Sequence, residues 1–183
     1  MLIEKWHELG PFTIFDVETT GFSPVQNRII EIAAVRIELD GTQSYFSSLV
    51  NPSMTIPYKI TQITKISNMM IKDAPIFADV GNKFTDFARG TTLVAHNARF
   101  DLAFLQESLA RTGLQPWQGK TLDSLTLAKQ TFQNLPSYKL QDLRILLNLK
   151  HKDENNAHRA LDDAKLTTSL VEKIFTALLE REK

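Results

Sequence analysis

The segment Phe12 to Glu18 constrains this chain more than any other. It is short and β-prone, with Phe15 and Val17 on one side and Ile14, Asp16 and Glu18 on the other, and it is apolar on both faces. A strand of that kind must be covered on both sides, which predicts a central strand inside a layered domain. Asp16 and Glu18 are two apart, so both carboxylates leave the same face within reach of one shared ion. Such a pair in an apolar strand is costly unless it is paired or bound to a cation. The plainer reading is a solvated strand end, since Thr19, Thr20 and Gly21 form a natural exit.

Around this strand the pattern predicts a meander. Arg28–Glu38 and Ser44–Val50 read as two further strands joined at Leu39-Asp40-Gly41, where Asp-Gly is a hairpin signal. Pro52 and Pro57 mark a loop, followed by a short helix over Lys59–Lys65. Ile76, Phe77, Val80, Phe84 and Phe87 form a helical stripe within Ala74–Arg89, which Gly90 stops. Thr91–Ala95 is a fourth, buried strand, Arg99–Thr112 an amphipathic helix, and Lys120–Asp123 a short fifth strand. Helices follow over Leu125–Thr131 and Lys139–Leu147, and a last one starts near Ala157, with Ala160, Leu161, Ala164, Thr168, Val171 and Phe175 in one stripe. Strands first as a meander and then alternating with helices predict an α/β fold with helices on both faces of a mixed sheet.

With 183 residues, no repeat and no linker, the chain reads as a single domain over 1–183 with its core over about 12–175. Its end, LLEREK, suits a helix running into solvent or a domain cut from something longer. Basic and acidic residues number 21 each, so no net field draws in a polyanion, and any nucleic acid must be held locally. Absence of cysteine excludes a disulfide scaffold or thiolate metal site and fits a cytoplasmic protein. No stretch has the apolar length of a signal peptide or a membrane span, so no membrane partner is expected.

Two further segments carry acids where chemistry is expected. Asp101, in AHNARFD, falls in the first turn of the helix that follows a buried strand. Acids are common there because they favour the helix dipole, but ends of strands in open α/β sheets are also where ligands bind. In HRALDDA, His158 precedes Asp162 and Asp163, and helical geometry does not choose between the two acids. Oxygen-rich acidic sites suit magnesium or manganese, and a histidine beside them suits proton abstraction from water. Together these groups read as a centre for cutting phosphodiester bonds.

FDVETTG, AHNARFD and HRALDDA, in that order, resemble the three motifs of the DEDD exonuclease superfamily. More narrowly they are similar to its DEDDh, DnaQ-like branch, whose third motif is His, four residues, Asp. Members include the epsilon proofreading subunit of DNA polymerase III, the exonuclease domain of polymerase C, RNase T and oligoribonuclease. The resemblance runs from about Phe12 to about Val171. It implies a ribonuclease H-like fold with a five-stranded mixed sheet. It selects Asp163 over Asp162 and makes Asp16, Glu18, Asp101 and Asp163 the ligands of two Mg²⁺ or Mn²⁺ ions, with Asp16 bridging and His158 as general base. It also implies that Thr19, Gly21 and Phe22 meet the terminal sugar and base, and Ile63 and Thr64 the last base. Asn97 is expected to orient the active-site turn through side-chain hydrogen bonds, while His96, Phe100 and Phe104 are structural. One departure stands out, because relatives often read Ile-Thr-Gly-Ile where this chain has Ile63-Thr64-Lys65-Ile66. A lysine there is expected to touch a phosphate or to shift the loop.

The activity so implied is 3′–5′ removal of 5′-mononucleotides from single-stranded or mispaired DNA ends, with a DNA polymerase or helicase as partner. An RNA-directed exoribonuclease would use the same site. A non-catalytic docking module of the same fold, or a domain whose acids hold one structural cation, are the readings from other classes.

Overall fold

A computed structural model describes residues 5–149 and 159–181. Five strands form one sheet in the order β3-β2-β1-β4-β5, where β1 is Phe12–Thr19, β2 Ile29–Ile37, β3 Gln43–Leu49, β4 Thr92–Ala95 and β5 Thr121–Asp123. The first three strands are antiparallel, whereas β4 runs parallel to β1 and β5 parallel to β4. The predicted central strand is therefore β1, flanked on both edges. The β2–β3 turn closes with Gly41 at φ +84°, a conformation that glycine supplies without strain.

Alternation along β1 sorts the core into two layers. Phe15 and Val17 pack with Ile32 and Leu93 against α3 (Phe77–Phe87) and α4 (Ala98–Arg111), through Val80, Phe84, Phe104 and Leu105. Phe12 and Ile14 pack with Val35, Ile37 and Val94 against Ala164 and Val171 of α7 (Ala160–Arg181). Asp16 and Glu18 share the parity of Phe12 and Ile14, so their side chains leave the sheet on the α7 side. The sequence stripe on α7 is only part of its buried surface. Leu166, Leu170 and Ile174 form a second stripe, packed on Ala128 of α5 (Ser124–Thr131) and Leu143 of α6 (Leu140–Leu146).

Several expectations shift. The third helix starts at Phe77 rather than Ala74, and Ile76, its N-cap, is half exposed instead of lying on the buried stripe. The segment after Pro57 holds two helices, α1 (Tyr58–Thr64) and α2 (Asn68–Ile71), of which the second has too few residues to show a period. The predicted start of the last helix at Ala157 lies outside the described residues, as does His158.

Candidate active site at the ends of β1 and β4

Pairing of the strands explains why the site forms where it does. Strand β4 pairs with only the first three residues of β1, Phe12 to Ile14, before the chain turns into α4. Beyond Ile14, among the described residues, one edge of β1 has no strand beside it, and its N–H groups need other acceptors. The Val17 N–H finds one in Asp101 Oδ1 at 3.2 Å, which brings a first-turn acid of α4 to the carboxylate-bearing end of β1. Asp101 is 3% exposed, so it is a buried group held from behind and not a solvated dipole acid.

The turn into α4 is set by a residue with no signal in the motifs. Asp123, at the end of β5, accepts on Oδ1 from the Asn97, Ala98 and Leu125 N–H groups and on Oδ2 from the Thr126 hydroxyl. It thus ties the starts of α4 and α5 to one carboxylate. Burial alone would raise its pKa, but these hydrogen bonds from Thr126, Ala98, Leu125 and Asn97 outweigh that and hold it below the usual carboxylate range. Asn97 takes a left-handed conformation, φ 68°, and its side chain makes no capping hydrogen bond. Its part in the turn is therefore conformational, which corrects the expected side-chain role; asparagine is among the few residues that tolerate φ > 0. His96 is structural as expected, bonded to Ser124 Oγ at 3.0 Å and the Tyr138 carbonyl at 2.8 Å, and burial lowers its pKa. Phe104 is buried and Phe100 packs partly buried beside it.

Asp163 comes from the opposite layer. Its carboxylate, with those of Asp16 and Glu18, supplies three oxygens that all lie within 4.8 Å of one another. Gln141 of α6 donates to Asp163 Oδ1 at 2.8 Å and orients it. Asp162 faces Lys165 at 3.9 Å and is not one of the three, so the choice that helical geometry left open falls on Asp163. Asp101 adjoins this group through its bond to β1 without belonging to the tight cluster.

The electrostatics of the centre are those of unrelieved like charge. Asp16 is pushed well above the carboxylate range by burial, then by Asp101, Asp163, Glu18 and Glu31. Glu18 is pushed up to about 8 by burial, then by Asp163, Glu31 and Asp101, against a smaller opposing effect of Arg159. Asp101 is also raised to about 8, by burial first, with its bond from Val17 opposing and the charges of Asp123 and Asp163 adding. Converging oxygens that bind protons this avidly are short of positive charge. Hard divalent cations take oxygen ligands of this kind, and the donor set fits one.

The turn after β1 is built for close approach. Thr19 Oγ1 donates to the Gly21 carbonyl at 2.6 Å, and a Cβ on Gly21 would meet Asn27 Oδ1 at 2.6 Å. Arg111 of α4 fastens the loop by donating to the carbonyls of Pro24 and Val25. Phe22 beside it is 81% exposed. On α1, Ile63 is half exposed, so it is not the core residue that plain packing would make it. Thr64 is buried with its hydroxyl spent on the Ile60 carbonyl and the Ile66 N–H. Lys65 sits at φ 60°, the left-handed helix cap that glycine usually fills, and its Nζ donates to the Gln62 carbonyl at 2.6 Å.

Fold and site together define a class: a ribonuclease H-like α/β domain that gathers carboxylates from β1, α4 and α7 beside one sheet end. The chain belongs to the exonuclease family of the RNase T type, whose profile matches residues 13–171. It is 39% identical over 175 residues to the DNA polymerase III subunit epsilon of Treponema pallidum, covering 94% of this chain and 78% of that protein. It is 40% identical over 171 residues to the PolC-type DNA polymerase III of Caldanaerobacter subterraneus subsp. tengcongensis, covering 93% of this chain but only 12% of that polymerase. Among solved structures, exonuclease X in complex with 5′ overhanging duplex DNA superimposes with a TM-score of 0.71 at 29% identity, over 90% of this chain and 91% of that one. An exonuclease I structure gives 0.75 at 20% identity, over 93% and 43%, a likeness of fold. Among the described residues no helix is long and apolar enough to cross a membrane.

Proposed function

We propose that this chain is a 3′–5′ exonuclease that removes 5′-mononucleotides from single-stranded or mispaired DNA ends, in the manner of a proofreading subunit. The observation that carries the reading is the meeting of Asp16, Glu18 and Asp163 oxygens within 4.8 Å, with Asp101 held alongside by Val17. Asp16, Glu18, Asp101 and Asp163 would hold two Mg²⁺ or Mn²⁺ ions. Bound there, such ions supply a low-pKa water, neutralise the phosphate and take up charge on the leaving 3′ oxygen.

The chain's own residues do the rest. His158 takes the proton of the attacking water as general base. Phe22 and Ile63 offer exposed apolar faces on which a terminal base can stack, a contact indifferent to base identity. Gly21 and Thr19 keep the backbone there low and closed, so that a sugar can approach. With Thr64 turned inward, the substrate contact expected of it falls on its backbone. Names among the relatives, a polymerase III subunit and a 3′–5′ exonuclease of Bacillus subtilis at 38% identity, support DNA and a polymerase partner, and with them a cytoplasmic place of work.

The test is a time course on 5′-labelled single-stranded DNA, mispaired duplex and RNA, with Mg²⁺, Mn²⁺ or chelator. Stepwise shortening of the DNA, abolished by chelator, is the expected result. Faster shortening of RNA would move the assignment to an exoribonuclease, and inactivity with Mn²⁺ would leave only a docking or structural role.

A further inference from the structure

A fifth acid stands inside the same field and is not accounted for by cation binding. Glu31 lies directly opposite Glu18 in the β1–β2 register, on the α7 side of the sheet, and is 2% exposed. Its oxygens are already occupied. Arg159 Nε reaches both at 3.1 Å, Arg159 Nη2 reaches Oε1 at 2.6 Å, and the Ala160 N–H reaches Oε2 at 3.0 Å. This is a forked, charge-assisted grip with little freedom of angle. Ala160 is the first residue of α7, so Glu31 also satisfies one of the helix N–H groups that no intrahelical carbonyl can reach.

We propose that Glu31 and Arg159 are positioning residues, a clasp that fixes the start of α7 on β2 and so sets where Asp163 stands relative to Asp16 and Glu18. The proposal rests on the nuclease reading only for its effect on turnover. The chain of contacts is short and stiff. The Asp162 and Asp163 N–H groups both close on the Arg159 carbonyl, at 3.0 and 3.1 Å, so Asp163 follows the clasped residue by one helical turn. A shift of α7 along the sheet would carry Asp163 away from Asp16 and Glu18, and the clasp joins the start of α7 to the strand beside β1. Arg159 also offsets, at Glu18, part of the field of the extra acid.

The experiment measures Mn²⁺ binding, by electron paramagnetic resonance of the free ion, and single-strand hydrolysis for the full chain and for Arg159→Ala, Arg159→Lys, Glu31→Gln and the double variant Glu31→Gln/Arg159→Ala. Folding of each is checked by circular dichroism. Arg159 is about one-third exposed, so its variants keep the test usable if Glu31→Gln does not fold. Removal of such supporting partners typically weakens metal affinity or activity 10–100-fold. We expect that loss in Mn²⁺ affinity and in kcat for Arg159→Ala and Glu31→Gln, with KM for the oligonucleotide unchanged. The double variant should be no worse than the worse single one. Arg159→Lys should restore little, because an ammonium keeps the charge but not the fork. Folded variants with wild-type Mn²⁺ affinity and kcat, or full rescue by lysine, would overturn the clasp while leaving the nuclease reading intact. A wild-type chain without nuclease activity, whose Mn²⁺ affinity still falls in Arg159→Ala, would overturn the reading and keep the clasp.

Discussion

Stability of the cation-free protein should fall as pH rises, opposite to the usual behaviour of carboxylates in folded proteins. Glu18 and Asp101 sit at about 8 in the fold, whereas carboxyls in an unfolded chain titrate near 4. With the folded value above the unfolded one, the native state keeps protons that the unfolded chain has released. Their stabilisation is complete below about pH 4 and is lost as pH rises through about 8. Each retained proton tilts the unfolding free energy by about −1.4 kcal/mol per pH unit in that window; Glu18 and Asp101 together give about −2.7, and Asp16, raised as well, steepens the fall further. Burial lowers the pKa of His96, which gives the opposite slope below about pH 6.5 and partly masks the effect there.

The assay is urea unfolding in chelator between pH 6 and 8, on wild type and on Glu18→Gln and Asp101→Asn. Each substitution removes one charge from the cluster, and in Asp101→Asn the new amide oxygen can still accept from Val17. Each variant should flatten the slope by about 1 kcal/mol per pH unit and be more stable than wild type near pH 8, while His96 cancels in the comparison. Adding Mn²⁺ at a hundredfold excess over its Kd should return about 2.7 kcal/mol to the wild type and much less to either variant. If wild-type stability in chelator is flat or rises from pH 6.5 to 8 in parallel with both variants, the acids are not crowded in the way described and the reasoning fails.

His158→Ala should slow single-strand hydrolysis about 10²- to 10⁴-fold while leaving the unfolding midpoint near wild type; an unchanged rate would remove His158 from the mechanism. Phe22 is 81% exposed, so Phe22→Ala should not alter stability but should weaken oligonucleotide binding by about 1–3 kcal/mol, read as a rise in KM. Lys65→Gly relieves a left-handed conformation at φ 60° and should stabilise the protein by about 0.5–1 kcal/mol in urea, after the glycine's own entropic cost is subtracted. A destabilised Lys65→Gly would mean that the bond from Lys65 to the Gln62 carbonyl outweighs the backbone strain.

Much of the fold was legible because one strand carried so much information. The double-faced apolarity of Phe12–Glu18 required a central position, and its alternation placed Asp16 and Glu18 on one face. The hairpin at Asp40-Gly41 and the helix stop at Gly90 are local turn chemistry, which sequence states directly. What stayed hidden depends on contacts between segments far apart in the chain. Gln141 meets Asp163 across 22 residues, Asp101 meets Val17 across 84, and Arg159 meets Glu31 across 128. None of those pairs leaves a period or a motif behind. Glu31 shows the difficulty well, since within a strand of isoleucines and alanines a lone glutamate looks like an exposed edge position, yet it is among the most buried charges present.

The hidden contacts also explain how like charges can be gathered at all. Each acid brought to β1 from elsewhere is gripped by a neutral or cationic donor: Asp101 by the Val17 N–H and Asp163 by Gln141. The supporting acids, Asp123 and Glu31, grip the starts of α4 and α7 in turn. Repulsion among the front carboxylates is therefore borne by a frame of hydrogen bonds that cannot relax outward without breaking several at once. Such a frame stores a deficit of positive charge in a fixed shape, and a divalent cation is the species that relieves it without moving the frame. Loosening one grip should thus cost cation affinity before it costs fold, because the fold rests on the apolar layers on both sides of the sheet and the site rests on the grips.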